Sequence, residues 1–243
     1  MELFLIFIIA VLIISVGIYF HTKAVKAFKK NVVKVALEKV IPGAEYLEMD
    51  GFGEERIRET RLVRRSNRFN STDYIRGVYH GLEFEFANVN ISDHRSAGKS
   101  SYTVEYFRGQ WLIIKPHVTL DTELYIVDKR LYHSDPDAIG WFDSRGLTKV
   151  ETESIAFNKE FKVHASDPVN AFYILSPQKI LSLYENEAQD ISVYLNKDEL
   201  HIAIYSGSFI FGNEHVNEEN RESVENRIID ELIKTLGAAD ILK

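Results

Sequence analysis

The chain has 243 residues, with 45% hydrophobic and 27% charged residues and a net charge of −7. Those proportions are ordinary for a globular protein and leave room for one large domain or two small ones. So acidic a chain is a poor candidate for non-specific nucleic-acid binding, which needs a basic surface, so nucleic acid is not an expected partner. The absence of cysteine excludes disulfide staples, thiol chemistry and lipoprotein processing.

Leu3 to Phe20 is an unbroken run of 18 uncharged residues, diluted only by Ser15, Gly17 and Tyr19. As a helix rising ~1.5 Å per residue it spans about 27 Å, against a hydrocarbon core of roughly 30 Å. The run therefore predicts a single transmembrane anchor over 1–21. Leu3, Phe4, Ile6, Ile9, Leu12, Ile13, Val16 and Phe20 are its anchoring residues. A cleaved signal peptide fits less well: no basic residue precedes the run, and the small-residue pair Ser15-x-Gly17 lies inside it.

Residues 22–41 predict an amphipathic helix that continues from the anchor. Val25, Phe28, Val32, Val35 and Ala36 form its apolar face, and Lys23, Lys26, Lys30 and Lys34 the opposite one. Between 23 and 39 only Glu38 offsets Lys23, Lys26, Lys29, Lys30, Lys34 and Lys39. Basic residues close to a membrane end stay cytoplasmic, so everything from residue 21 onward is expected inside the cell, at the inner face of the membrane. The lysine stripe reads either as a surface for anionic lipid or as a solvated face whose apolar side packs on the domain, and the second reading is preferred. Pro42-Gly43 ends the helix, and 42–243 is expected to form the cytoplasmic domain.

Glu54, Glu55 and Glu59 interleave with Arg56, Arg58 and Arg61, which predicts a solvated helix over about 53–65 with i, i+4 pairs. Arg64 and Arg65 are candidates for gripping an anion, and Gly51-x-Gly53 reads as a turn. Residues 73–79, 82–91, 102–114 and 123–127 are rich in aromatic and β-branched residues and predict antiparallel sheet, with His80-Gly81 as a hairpin turn. Leu82-Glu83-Phe84-Glu85-Phe86 alternates apolar and acidic. Residues 96–101 resemble a phosphate loop only superficially, because Asp93 stands where such a loop needs glycine; a mobile loop is expected instead. Asp135, Asp137 and Asp143 lie in an irregular stretch without calcium-loop spacing, and the eight histidines lack ligand spacing, so no metal or cofactor is expected.

Phe161 to Ala165 alternates like a strand. Asp167-Pro168 and Ser176-Pro177 then predict helices over 168–174 and 177–187, the second burying Ile180, Leu181 and Tyr184. Glu151 and Glu153 are placed on one face of a strand, where an acid/base pair would need a pocket; a solvated face is the preferred reading. Ile191–Leu195 and Leu200–Tyr205 predict a hairpin. Residues 217–236 predict a helix capped by Asn217, ended by Gly237, with Val224, Ile228, Ile229, Leu232, Ile233 and Leu236 inward.

Several of these residues also carry a resemblance: Pro42-Gly43-x-x-Tyr46, then Phe69, Asp73, Tyr74 and Gly77, then Phe107-x-Gly109. Glu151, Phe157, Phe161, Val163, Asp167, Ala171 and Tyr173-x-Leu175-x-Pro177 follow, and Ile202-Ala203-Ile204 closes the series. In this order the stretch from Lys39 to Phe211 resembles the bacterial domain of unknown function 3137 family. Ser176 departs from the threonine usual there, and the insert from Asp128 to Thr148 is longer than expected. The resemblance implies a bacterial, often membrane-anchored protein and no known activity, substrate or cofactor.

The expected class is α+β: a single N-terminal transmembrane helix, then one domain with an antiparallel sheet and flanking helices. The expected function is a non-catalytic module that binds a protein or lipid partner at the inner face of the membrane. The alternative is a membrane-tethered, hydrolase-like enzyme using carboxylates such as Glu151, Glu153 or Asp167.

Overall fold

In the computed structural model the described residues are 27, 28, 30–98, 100–116, 121–129, 142, 144–185, 190–212 and 216–239. The predicted anchor over 1–21, together with Lys23, Val25, Lys26, Asp135, Asp137 and Asp143, lies outside them. Among the described residues no helix is long and apolar enough to cross a membrane.

The chain is α+β. One antiparallel sheet joins nine strands in the order β1-β2-β3-β4-β9-β8-β5-β7-β6. They are β1 (Glu45–Leu47), β2 (Arg68–Tyr79), β3 (Leu82–Ala97), β4 (Ser100–Ile114), β5 (Leu124–Asp128), β6 (Thr148–Val150), β7 (Phe161–Ala165), β8 (Asp190–Leu195) and β9 (Leu200–Tyr205). Around it stand α1 (30–40), α2 (Glu54–Glu59), α3 (Ile155–Glu160), α4 (Pro168–Ile174), α5 (Pro177–Glu185) and α6 (Arg221–Gly237).

The central strands bury both faces. Successive side chains point to opposite sides of a strand. On β4 and β5, Leu112, Ile114, Leu124 and Ile126 therefore join one core. Trp111, Ile113, Tyr125 and Val127 join the other. The first core is covered by α1, α3, α4, α5 and α6 through Val32, Phe157, Ala171, Leu183 and Ile228. The second is covered by α2 and the segment after it, through Ile57, Leu62 and Val63, and by Phe142 and Leu147.

Two quoted family positions have a packing reason. A Cβ on Gly109 would stand 2.0 Å from the Ile204 carbonyl oxygen, so the β4–β9 contact admits only glycine. Asp73 sits at the bulge between Thr72 and Ile75 with φ 59°, a conformation that aspartate tolerates better than most residues. There it accepts the Tyr46 hydroxyl at 2.7 Å and the Asn88 amide at 3.0 Å.

Several boundaries differ from the sequence reading. The helix expected over 53–65 stops at Glu59, because Arg61 takes φ 55° and turns the chain so that Leu62 and Val63 are buried. The loop expected over 96–101 is the tip of a long hairpin, where Ala97 pairs with Ser100. Residues 155–160 form a helix capped by Ser154, whose hydroxyl accepts from the Phe157 amide. On α1 the buried stripe is Val32, Val33, Ala36 and Leu37, with Val35 only half-buried, so the helix is rolled from the expected face. On α5 Leu183 is 3% exposed and Leu181 52% exposed, the reverse of the expected packing, and Tyr184 also faces out. α6 begins at Arg221, after a turn in which Asn217 accepts from Glu219 and Asn220; Ile233 on it faces out.

Candidate functional site

Of the concavities among the described residues, two on opposite faces of the sheet combine a distinctive lining with residues of interest. The first is polar. It is built where α2, the turn after it, and the β8–β9 hairpin meet. Asn196 shapes the hairpin turn by accepting from the Asp198 and Glu199 amides. That turn brings Glu199 beside His201, the second residue of β9. His201 is 2% exposed. Its Nδ1 accepts the Trp111 indole N–H at 3.3 Å, and an indole can only donate. The imidazole proton is therefore on Nε2, which donates to Glu199 Oε2 at 2.9 Å.

Arg56 completes the cluster from α2. Its Nη1 donates to Glu85 Oε2 at 2.7 Å, and its Nη2 to Glu199 Oε1 at 2.5 Å. The Tyr74 hydroxyl adds a bond to Glu85 Oε2 at 2.9 Å. The hydrogen bond from His201, opposed by burial and assisted by Arg56, brings the Glu199 carboxyl down to about 2. Burial works to raise the Glu85 carboxyl, but the bonds from Arg56 and Tyr74 outweigh it and hold it below the usual range. Beside this cluster Glu123 accepts the Tyr125 hydroxyl at 3.1 Å, the Tyr194 hydroxyl at 3.0 Å, and Arg145 through both oxygens at 2.9 and 3.1 Å. Burial is the main reason both phenols are pushed above their ordinary range. The pocket itself measures about 390 Å³, and Arg56, Arg61, Arg65 and Arg145 line it with Glu59, Glu199 and His201.

The second concavity is apolar. α4 and α5 border a groove of about 370 Å³ lined by Phe172, Leu175, Pro177, Ile180, Leu181 and Tyr184. Thr152, Glu153 and Ser154 supply its polar wall. Ile155, Val169 and Tyr173 add exposed apolar surface on α3 and α4. Asp167 fixes one side of the groove by accepting from the Val169 and Asn170 amides at the start of α4. Ser176 Oγ accepts from the Lys179 amide at the start of α5.

The carboxylates that the hydrolase-like alternative would need together are apart. Glu151 lies beyond the end of β6, exposed and paired with Lys149 at 2.6 Å. Glu153 lines the groove, and Asp167 is a helix cap. Neither glutamate is on a strand, because β6 ends at Val150. Lys30 and Lys34 are exposed on α1. Arg65 lines the polar pocket, whereas Arg64 stacks over the Tyr106 ring at 4.8 Å. Among the described residues no group of three or more His, Asp or Glu side chains converges as metal ligands.

The Trp111–His201–Glu199–Arg56 chain escaped the sequence reading. Glu199 and His201 stand two apart, a spacing a strand aligns, but Trp111 is 90 residues from His201 and Arg56 is 143 from Glu199. A Glu-x-His at the start of a predicted strand was the one local signal.

The fold and the two concavities define an α+β protein with separate polar and apolar surface sites. The family profile described as "Protein of unknown function (DUF3137)" matches residues 105–243, and the chain belongs to that family. No curated protein matches significantly. Among solved structures, the chain is similar to the crystal structure of the mycobacterial trehalose monomycolate transport factor A, TtfA. That likeness has 8% identity and a TM-score of 0.42, and covers 86% of this chain and 94% of the other. So loose a likeness carries no argument here.

Proposed function

We propose that the chain is a single-pass, membrane-tethered, non-catalytic module at the inner face of the bacterial membrane, and that its α4–α5 groove takes a lipid acyl chain. The observation that carries this reading is the groove. Large apolar side chains left uncovered in one concavity mark a binding surface rather than scattered exposure. Its volume of about 370 Å³ is within the usual range for small-ligand sites, ~300–1,000 Å³.

The occupant follows from where the body starts. In this reading the apolar run that ends at Phe20 is the tether, and with α1 under way by residue 30 it would hold the body close to the bilayer. Tethering raises the effective concentration of lipid at any apolar site on that body. The helices that form the groove cover the same sheet face as α1. One polar wall of Thr152, Glu153 and Ser154 beside an apolar trough suits an amphiphile. Exposed Lys30 and Lys34, continuing the stripe of Lys23 and Lys26, would rest against anionic headgroups. No observation favours the hydrolase-like alternative, since Glu151, Glu153 and Asp167 serve three different places.

The test is photocrosslinking of the full-length protein in vesicles containing diazirine-labelled phosphatidylglycerol. Crosslinks are expected at residues of α4 and α5 as well as in 1–21, and F172E/L181E should cut the α4–α5 crosslinks about tenfold or more without altering the melting temperature. Crosslinks confined to 1–21, or unchanged by the substitutions, would sink the acyl-chain reading. So would a groove variant that dissociates a dimer or a protein complex instead. The tether is checked separately: the protein should resist alkaline carbonate extraction and become extractable when 1–21 is deleted.

A further inference from the structure

We propose that the β3–β4 hairpin is a docking arm for a second copy of this chain, the two arms pairing through the open edge of β4. The flanking strands give out before the hairpin does. β2 follows β3 only as far as Arg68, opposite Ser92, and β9 follows β4 only as far as Tyr205, opposite Gly109. The β3–β4 ladder runs on to Ala97 and Ser100. At ~3.4 Å per residue, a two-stranded arm therefore reaches about 17 Å past the end of β2. Its two edges differ. On the β3 side the Asn67 side chain closes the edge: its Oδ1 accepts the His94 amide at 2.8 Å and its Nδ2 donates to the His94 carbonyl at 3.0 Å. On the β4 side, no strand among the described residues pairs with 101–107. The outermost strands of the sheet, β1 and β6, have three residues each, and so short an edge is a poor template for a partner.

Proteins commonly blunt an exposed edge with lysine, proline or an unpaired charge. Residues 101–107 contain no lysine or proline. Their one charge, Glu105, is held within its own chain by Arg108 Nε at 2.7 Å and Asn90 Nδ2 at 2.8 Å, so two copies meet without repulsion. A bulge at Tyr106 bounds the regular stretch at Ser101–Glu105, because Ile91 faces Phe107 while Ser92 faces Glu105. That stretch is self-complementary about Thr103. A two-fold axis there sets Thr103 against its own copy, Tyr102 against Val104, and Ser101 against Glu105. Threonine pairs and aromatic–β-branched pairs are favourable across antiparallel strands, and a serine hydroxyl donates to a carboxylate. Tyr102 is 51% exposed, so it has surface to lose on pairing. The symmetry selects the occupant: each side chain finds its match in the same five residues, which makes the contact isologous and closed. A lone two-stranded ribbon is marginally stable in water, whereas two arms joined edge to edge make a four-stranded sheet.

The experiment uses the full-length protein in detergent, and the absence of native cysteine makes single-cysteine variants clean probes. Sedimentation velocity of the parent should show a concentration-dependent dimer. T103K places two ammonium groups against each other at the axis and should weaken that dimer about tenfold or more, since like charges directly opposite are destabilising. Thr103 is exposed, so the variant should keep the melting temperature of the monomer. Under mild oxidation T103C should form a disulfide-linked dimer in high yield. S101C should not, because in this register its two copies stand roughly 14 Å apart, well beyond disulfide reach. A parent that stays monomeric, a dimer that survives T103K, or crosslinking by S101C equal to that by T103C overturns the proposal.

Discussion

Glu199 Oε2 lies 2.9 Å from His201 Nε2, and the same carboxylate receives Arg56 through its other oxygen at 2.5 Å. The contact couples the β8–β9 turn to α2 across the sheet. It also makes the fold sensitive to acid. The folded Glu199 carboxyl is depressed from 4.5 to about 2, so its contribution is complete above its unfolded value and is lost as pH falls through the folded one. Glu199→Gln should therefore flatten the loss of stability on acidification from about pH 4.5 to about 2. Thermal denaturation of parent and variant across that range checks it; parallel acid limbs would contradict the assignment.

Leu183 and Leu181 separate the two readings of α5. Leu183→Ala removes a buried side chain from the core and should cost about 2–5 kcal/mol. Leu181→Ala removes an exposed one and should stay within about 0.5 kcal/mol. Urea unfolding of the two variants measures the difference directly, and equal costs would mean the helix is rolled differently.

Gly109→Ala should be among the most damaging single substitutions. Its methyl group would meet the Ile204 carbonyl oxygen at 2.0 Å, and the obstacle is backbone, which cannot rotate away. β4 and β9 would have to separate at the middle of the sheet, where both cores rest on them. A loss above about 4 kcal/mol is expected, seen as a collapse in the yield of folded protein.

Asp167→Ala removes the cap of α4, and the Val169 and Asn170 amides lose their acceptor. The cost should be about 1 kcal/mol, and Asp167→Asn should restore most of it, because asparagine also caps. Rescue by asparagine in chemical denaturation marks the residue as a cap; a carboxylate needed for chemistry would not be rescued.

Where neighbours decide structure, the sequence was legible. Asp167-Pro168 and Ser176-Pro177 started helices as expected, because a cap bonds amides two or three residues away. The Asn196–Glu199 hairpin turn and the alternation of Leu82, Phe84 and Phe86 held for the same reason. Misreadings came where a residue's fate depends on a distant partner. Leu181 and Leu183 are equally apolar, and only the sheet beneath α5 chooses between them. Phe107-x-Gly109 was recognisable as a motif, but the carbonyl that demands the glycine is Ile204.

By itself the sequence determined the α+β class, the order of most elements, the family and the acidic character of the chain. It did so because periodicity, capping and charge are local properties. Only the tertiary structure decided the two concavities. The polar pocket needs Arg56, Trp111 and Glu199 brought together by long-range antiparallel pairing. The apolar groove needs two short helices and the stretch from Thr152 to Ser154 brought together over one sheet face. Long-range sheet pairing sets both arrangements, and no stretch of neighbouring residues contains it.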